Sequence, residues 1–387
     1  MSNLDSATLG DLGSALPHLA AEAKTRALEF EKARKLAPDF ADKLKRAGAF
    51  KVLVPGDAGG LGGSLGQLLD IGMTLAEADA STGWVTTHAN ICAGLIYASA
   101  DPRLRDEFFS DPGACAAWSN LPRLQIAEQP DGLRITGSWS FETGCTAATF
   151  VGGMVSLPPG ADGKPRVVAV LAPVREAVIE ETWDPVGLAG TGSHDVHFRD
   201  VFVPWHRTFA WPAGRPRTGY PTSVFVGGAW FIAICAAATH LGLARRALDE
   251  ARNELRNKKE RFTERPLLEN PATQRSLEAA EGLWFACRAG LREALDTIWQ
   301  AALQGEPATA DMRVSARVAA VTATHRGAEI VRAAYDIAGA GAVRRAGVLQ
   351  RLMRDASCLT HHISVNQHSY EVTGRVRCGI DQASFRI

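Results

Sequence analysis

The spacing of apolar residues changes twice along this chain, and these two changes constrain its fold more than any other feature. Residues 1–112 repeat apolar side chains at helical spacing, and Ser64 can cap a helix after a glycine-rich turn. Residues 113–215 alternate in short runs punctuated by Gly and Pro, which is typical of a compact β domain. Long, Ala-rich amphipathic stretches return over residues 216–387. The sequence therefore predicts an α+β fold with a helical N-terminal domain, a central β-barrel or sandwich domain and a C-terminal four-helix bundle.

Individual elements follow from the same periodicities. The sequence predicts a helix over 81–100 and four C-terminal helices over 224–257, 271–303, 308–338 and 348–365. It predicts strands over 133–141, 150–157 and 166–171. Three histidines of the β region, His194, His197 and His206, are expected on its surface.

Composition excludes several classes of partner. Lys and Arg number 42, as do Asp and Glu, so nothing marks a nucleic-acid or anionic-membrane binder. The apolar run 224–238 is too short for a membrane helix, and the N-terminus lacks the pattern of a signal peptide. The seven cysteines are scattered without the spacing of a zinc site, which indicates reduced thiols. We therefore expect a cytoplasmic protein that binds no metal, nucleic acid or membrane.

Two adjacent imidazoles near the C-terminus point to a class of chemistry. His361 and His362 follow the pair Arg354-Asp355. A carboxylate suits the removal of a proton from carbon, whereas an imidazole titrating near neutrality suits proton exchange with hydroxyls and peroxides. Adjacent residues of a helix point about 100° apart, so only one of the two faces a given pocket. Helical register from Arg354 favours His362.

A dinucleotide-binding fingerprint is missing. Gly60 and Gly62 lack a third glycine at the required spacing, and the run Gly190-Thr191-Gly192 is followed by Ser-His-Asp. The chain is therefore expected to bind no nicotinamide of its own, and reducing equivalents would have to come from another protein.

Five segments together resemble the acyl-CoA dehydrogenase superfamily and, more closely, its two-component flavin-dependent monooxygenases. They are VPGDAGGLG at 54–62, ADASTGW at 78–84, GSWSFETGC at 137–145, GLAGTGSHDV and the following strand at 187–204, and the segment 354–374. They span most of the chain in the order that the family shows, although each one alone is degenerate. The resemblance implies the three-part fold described above.

The resemblance also implies a flavin site. The turn 139–144 would lie against the flavin ring, with the Thr143 hydroxyl, or that of Ser140, bonded to flavin N5. Ser193 would lie near the flavin edge, and Arg261 would reach the flavin phosphate of a neighbouring subunit. The residues that the resemblance assigns to the cofactor are Trp139, Ser140, Phe141, Thr143, Gly144, Ser193 and Arg261. Ordinary turn chemistry also accounts for Thr143 and Ser193, and a solvated charge run accounts for Arg261.

Catalytic and substrate-binding residues are implied in the same way. His362, or else His361, would manage a peroxide proton, and His88 would deprotonate or orient the substrate. Trp118, Phe225 and Trp230 would line an aromatic pocket. The plain alternatives are that His88 is a satisfied core or surface histidine and that the large aromatics only fill the core.

The function that the resemblance implies is that of the oxygenase component of a two-component monooxygenase. Such a protein receives reduced FAD or FMN from a separate NAD(P)H:flavin reductase, adds O2 at flavin C4a and hydroxylates a small phenol- or indole-like aromatic. Relatives complete the flavin site across subunits, and we therefore expect this chain to form a homotetramer. The alternatives are N- or S-oxygenation on the same fold, a dehydrogenase that uses Glu371 as its catalytic carboxylate, and a scaffold protein that retains flavin without activity.

Overall fold

Five helices form the N-terminal part of the chain. The computed structural model describes residues 7–160, 163, 165–210, 221, 229–256, 258–260, 262 and 264–381. Its first helices are α1 (Leu9–Ala33), α2 (Pro38–Arg46), α3 (Leu65–Ala78), α4 (Ala80–Ser99) and α5 (Pro102–Phe109). Pro38 opens α2, where its missing N–H leaves no helical hydrogen bond unmade.

Capping side chains set where α3 and α4 begin. The Ser64 hydroxyl accepts the N–H of Gln67 at 3.1 Å, which confirms the predicted cap of α3. Asp79 lies between the two helices and caps α4, accepting the N–H of Thr82 at 2.8 Å. The two helices then run side by side, since a Cβ on Gly83 would come within 2.8 Å of the Cα of Ala76. This close approach sets the direction in which α4 presents its side chains.

Eight strands form two sheets in the middle of the chain. They are β1 (Ala116–Ser119), β2 (Pro122–Gln129), β3 (Gly132–Glu142), β4 (Phe150–Leu157), β5 (Arg166–Pro173), β6 (Val178–Glu180), β7 (His194–Pro204) and β8 (Thr208–Ala210). One sheet has the order β1-β4-β5-β8 and the other β2-β3-β7-β6. Only the β1–β4 pair is parallel among these strands. Apolar side chains from both sheets form one buried core, as in a β-sandwich.

The end of β3 is irregular, and this irregularity shapes the candidate site. The pairing of β3 with β7 shifts register between Trp139 and Glu142. Phe141 (φ 62°) and Gly144 (φ 74°) adopt left-handed backbone conformations on either side of Thr143. A Cβ on Gly144 would lie 3.2 Å from Val85 of α4, so the turn sits close to that helix. Bulges of this kind redirect side chains, and here the turn faces α4.

Five helices complete the chain: α6 (Ala229–Arg256), α7 (Pro271–Leu303), α8 (Ala310–Ala338), α9 (Val348–Leu359) and α10 (His368–Arg377). α8 packs against α6, α7 and α9. Helices before and after a central pair of sheets confirm the predicted α+β fold. By length and composition α6 is apolar enough to cross a membrane, but 89% of its most apolar window is buried inside the protein.

Two local predictions are wrong. The helix predicted over 348–365 ends at Leu359, so His361 and His362 lie in turns after α9. The His362 side chain bonds to its own neighbour Ser364, and such local bonds compete with helix continuation. His194 was expected on the surface, yet it is fully buried, and its Nδ1 accepts the N–H of Trp183 at 3.1 Å.

Candidate active site

One face of α4 carries three side chains with polar or ionisable groups. Trp84, His88 and Cys92 follow each other at intervals of four residues, which places them on the same side of the helix. The rings of Trp84 and His88 lie 6.1 Å apart, and His88 Nδ1 lies 3.8 Å from Cys92 Sγ. Burial raises the pKa of the Cys92 thiol well above its usual value, so the sulfur stays protonated.

Trp84 joins this face to two distant parts of the chain. Its Nε1 donates to the Thr143 hydroxyl at 3.1 Å. Its ring meets the His362 ring edge-on, with centroids 5.1 Å apart and planes at 71°. We call Trp84, His88, Thr143 and His362 the Trp84 cluster, since each of the other three contacts Trp84.

A row of buried hydroxyls continues from Thr143. Thr143 and Ser193 lie 3.0 Å apart, and Ser193 and Thr191 lie 2.8 Å apart. Thr191 donates to the carbonyl of Leu188 at 2.8 Å and shares a second hydrogen bond with Ser193. Gly144 donates its N–H to the Thr191 carbonyl at 3.0 Å. Hydroxyls both donate and accept, so this row can turn to satisfy a polar ligand beside Thr143.

Both imidazoles of the cluster are neutral at physiological pH. Burial lowers the pKa of His362 to about 4. Burial, and secondarily the charge of His362, lowers the pKa of His88 to about 4. The expectation of an imidazole titrating near neutrality is therefore wrong for His362. Ser364 donates its backbone N–H to His362 Nδ1 at 3.3 Å, so the proton of the neutral ring resides on Nε2.

Several residues assigned to the cofactor lie elsewhere. Trp139 is fully buried in the sandwich core, where its Nε1 donates to the Met154 carbonyl at 3.1 Å, so its side chain cannot contact a flavin. Ser140 points away from Thr143 and donates to Asp195 at 3.1 Å. Trp139 and Ser140 point to opposite faces of β3, because side chains alternate along a strand. Phe141 remains 55% exposed beside the turn.

His361 and Glu371 lie outside the cluster. His361 is exposed, whereas His362 is only partly exposed. The Glu371 side chain is 71% exposed and pairs with His368 at 2.8 Å on α10. Two further predicted residues, Arg261 and Phe225, fall outside the described part of the chain.

Two of the predicted pocket aromatics, Trp118 and Trp230, are buried in the large helical core. Trp118 lies on β1, and its backbone N–H bonds to the Cys92 thiol. Cys92 therefore lies between Trp118 and His88. Its ring lies 5.9 Å from that of Phe209. Trp230 is fully buried at the start of α6, and its Nε1 has no hydrogen-bond partner among the described residues.

Sequence reasoning missed two residues of this region. Trp84 is the hub of the cluster, and its position four residues before His88 was the available signal. Glu142 is fully buried next to Thr143 and accepts the Gly152 N–H at 2.9 Å. Burial raises its carboxyl pKa well above the usual value, so Glu142 is neutral. Within the described ranges, no group of three His, Cys, Asp or Glu side chains is arranged to hold a metal ion.

Comparison with known proteins agrees with the geometry. Residues 16–111 match the acyl-CoA dehydrogenase N-terminal domain, and residues 234–367 match the acyl-CoA dehydrogenase C-terminal domain. The chain is 30% identical to indole-3-acetate monooxygenase from Pseudomonas putida, over 92% of this chain and 90% of that protein. It is also 30% identical to an FADH2-dependent resorcinol hydroxylase, oxygenase component, from Rhizobium sp. (strain MTP-10005), over 89% of this chain and 88% of that protein.

A solved structure shows the same fold. The HsaA monooxygenase from M. tuberculosis superposes with a TM-score of 0.86 at 24% identity, covering 98% of this chain and 99% of that one. The chain therefore belongs to the acyl-CoA dehydrogenase superfamily, and within it to the flavin-dependent monooxygenases.

The residues around the Trp84 cluster fit a flavin. A flavin ring has an apolar face and a polar edge, and this region supplies partners for both. Phe141, Val186 and Ile363 are apolar side chains with 55%, 71% and 69% of their surface exposed. Phe141 lies two residues before Thr143, Ile363 follows His362, and Val186 lies two residues before Leu188, which bonds to the hydroxyl row. The hydroxyls of Thr143 and Ser193 supply donors and acceptors beside them.

Proposed function

We propose that this chain is the oxygenase component of a two-component flavin-dependent monooxygenase that hydroxylates a small phenol- or indole-like aromatic. The observation that carries the proposal is the Trp84 cluster. It joins the Thr143 hydroxyl of the β domain to two neutral imidazoles, one on α4 and one in the turn after α9. The two 30% identical relatives are named as an indole-3-acetate monooxygenase and a resorcinol hydroxylase. Both names specify an aromatic compound, which supports the proposed substrate class.

Thr143 and Ser193 would hold the polar edge of a reduced FAD or FMN. When bound, reduced flavin supplies the electrons that activate O2. Trp84 donates to Thr143, which leaves the Thr143 hydroxyl proton free to turn towards Ser193 or the cofactor. Under the same proposal, Arg261 would bind the flavin phosphate of a neighbouring subunit.

His362 would supply a hydrogen-bond donor at the oxygen-reacting side. Its neutral ring carries the proton on Nε2, because Nδ1 accepts from Ser364. A neutral donor needs no counter-ion, and so it draws no counter-ion with its water into the site. Exclusion of water suppresses the loss of reduced oxygen as hydrogen peroxide. Trp84 packs edge-on against this ring and holds its orientation.

His88 would act on the substrate. A neutral imidazole with a low pKa accepts a proton weakly, so its main contribution is to orient a phenol O–H or an indole N–H by a hydrogen bond. Cys92 at 3.8 Å and the adjacent Trp118 support the ring from the apolar side. A dehydrogenase mechanism would need a carboxylate here, but Glu371 is exposed and paired with His368.

The test is dependence on a separate reductase. Purified protein with NADH and an aromatic panel that includes indole-3-acetate and resorcinol should give no product, because no dinucleotide fingerprint is present. Adding a competent flavin reductase and FAD or FMN should restore hydroxylation. Turnover with NADH in a preparation proven free of reductase would contradict the two-component proposal, and a dehydrogenated acyl thioester product would contradict oxygenation.

We also propose a cytoplasmic homotetramer. All seven cysteines are free, which suits a reducing compartment. The outward face of α7 carries small residues and Phe285, which is 67% exposed, as a helix that packs on another subunit would. Light scattering should give about four times the chain mass of 41.3 kDa. A mass of one chain at micromolar concentration, or recovery outside the cytoplasmic fraction, would contradict the respective part.

A further inference from the structure

A buried acid on α9 contacts the loop that carries the hydroxyl row. Asp355 is 6% exposed, and its Oδ1 accepts the N–H of Leu188 at 2.7 Å. The neighbouring Arg354 donates from Nη1 to the carbonyl of Val186 at 2.8 Å. These two bonds join segments 167 and 168 residues apart in the chain. We call residues 183–193 the β6–β7 loop.

The loop backbone lies directly on α9. A Cβ added to Gly187 would come within 2.4 Å of the Arg354 carbonyl oxygen, so only glycine allows this approach. Leu188 has a left-handed backbone (φ 57°), which is costly for a residue with a branched side chain. A strained conformation persists only when surrounding contacts hold it, and the Asp355 bond is one of those contacts.

Two routes lead from this contact to the Trp84 cluster. Along the loop, the Leu188 carbonyl accepts from the Thr191 hydroxyl at 2.8 Å, and the hydroxyl row continues through Ser193 to Thr143. Along the helix, α9 ends four residues after Asp355, and the turn that follows carries His362. Both routes end on Trp84, one through a hydrogen bond from its Nε1 and one through an edge-on ring contact.

We propose that Asp355 is a positioning residue that sets the spacing between Thr143 and His362 by tying the β6–β7 loop to α9. It contacts neither cofactor nor substrate and acts through Leu188. The role in coupling oxygen reduction to hydroxylation rests on the proposed function. The mechanical link between the two segments does not.

The charge state of Asp355 adds a second, separate expectation. Burial, and to a smaller extent the nearby Asp79, raises the pKa of the Asp355 carboxyl to about 7. The Leu188 N–H and the charges of Arg351 and Arg354 act in the opposite direction and lower this pKa. Ionisation improves the acceptor but places a charge in a buried site, and the raised pKa means that the second effect is larger. A local opening that exposes Asp355 to water should therefore become easier as pH rises from about 4 towards about 7, and this effect should level off above about pH 7. The charged and titratable groups facing this site are Asp79, Glu31, Arg351, Arg354 and Cys358.

The first experiment is hydrogen exchange on the flavin-free protein, with three variants. Asp355→Ala removes the acceptor, Asp355→Asn keeps an acceptor of the same reach but cannot ionise, and Ser357→Ala changes an exposed residue of the same helix. We expect Asp355→Ala to lower the protection factors of peptides covering both 187–193 and 360–366 by roughly fivefold or more, since an unpaired buried N–H is costly. Asp355→Asn and Ser357→Ala should stay near wild type at about pH 6.

The second experiment measures coupling, the amount of hydroxylated product per reduced flavin consumed, with hydrogen peroxide as the balance. Asp355→Ala should lose coupling by roughly fivefold with little change in the KM for substrate, and Asp355→Asn should restore it. Between about pH 5 and about pH 7, protection of 187–193 should fall in wild type but not in Asp355→Asn.

Each failure has a distinct meaning. Unchanged protection in a folded Asp355→Ala protein would overturn the link itself. Lower protection with unchanged coupling would overturn the positioning role. If Asp355→Ala does not fold, Asp355→Glu takes its place, because the longer side chain alters the spacing while keeping the acceptor, and equal coupling in that variant overturns the proposal. No coupled turnover by wild type would contradict the proposed function, while the exchange result still decides the link.

Discussion

Two tryptophans of this protein have similar local contacts and opposite surroundings. Trp84 donates from Nε1 to Thr143 at 3.1 Å, and Trp284 on α7 donates to the Leu241 carbonyl at 2.9 Å. Trp84 is buried among neutral imidazoles and hydroxyls. Trp284 lies in an open cleft of about 360 Å³, with the guanidinium groups of Arg245 and Arg288 5.5 and 5.9 Å from its ring.

The contrast shows which kind of polarity each setting tolerates. The cleft arginines are paired with acids at the surface, for example Arg288 with Asp70 at 3.2 Å. Exposed pairs of this kind contribute little to stability, because water screens them. In the Trp84 cluster burial removes the charge from both histidines, and each remaining hydrogen bond counts for more in the drier setting. Substitutions should therefore have large effects at Trp84 and small ones at Trp284.

The largest effect is expected from His362→Ala. Removal of a preorganised hydrogen-bond donor from a buried site costs about 10²–10³-fold in rate, so coupled hydroxylation should fall within that range while the fold remains. Oxygen and reduced flavin should still be consumed, with hydrogen peroxide released. His361→Ala is the matched control, because the same side chain one residue earlier is exposed. Equal coupling in wild type and His362→Ala, or a larger loss in His361→Ala, would contradict the assigned role.

A smaller effect is expected from Trp84→Phe. The substitution keeps an aromatic ring beside His362 and removes the Nε1–H that Thr143 accepts. A lost hydrogen bond of about 1 kcal/mol corresponds to roughly a fivefold loss of coupling. Trp284→Phe removes an equivalent indole N–H from the surface cleft and should leave coupling unchanged. The comparison fails if both variants lose coupling to the same degree.

Acid should destabilise the protein partly through His362. Its pKa is about 4 when folded and about 6.5 when unfolded, so only the unfolded state binds the proton between these values. The His362 contribution is complete above about pH 6.5 and is lost as pH falls towards about 4. Urea unfolding should therefore show a larger loss of stability over this range in wild type than in His362→Gln. An equal loss in both proteins would mean that His362 titrates normally in the folded state.

The smallest effect is expected from Arg288→Gln. This change breaks the ion pair between Arg288 and Asp70, whose side chains are 40% and 44% exposed, respectively. The free energy of unfolding should change by less than about 1 kcal/mol, with coupling unchanged. A larger loss in thermal unfolding would show that the cleft charges are structural, and the contrast between the two tryptophans would then no longer hold.

Local sequence signals were sufficient for the fold and for part of the candidate site. Helical and alternating periodicities gave the order of elements, including α7 over Pro271–Leu303, because each element buries one face by its own repeat. The resemblance brought Thr143, Ser193, His88 and His362 into one hypothesis, and the structure places all four around Trp84 or next in the hydroxyl row. Their catalytic and binding roles remain predictions.

Tertiary structure decided what local signals could not. The helix register used to choose His362 over His361 did not apply, because α9 ends at Leu359 and a turn sets the two directions. The inward side chain of Trp139, the neutral state of the histidines and the Asp355–Leu188 bond all depend on partners far away in the chain. Trp84 meets Thr143 across 59 residues and Asp355 meets Leu188 across 167. Sequence patterns report which face of an element is buried, whereas burial against a particular partner, and the pKa that follows from it, exists only once the chain has folded.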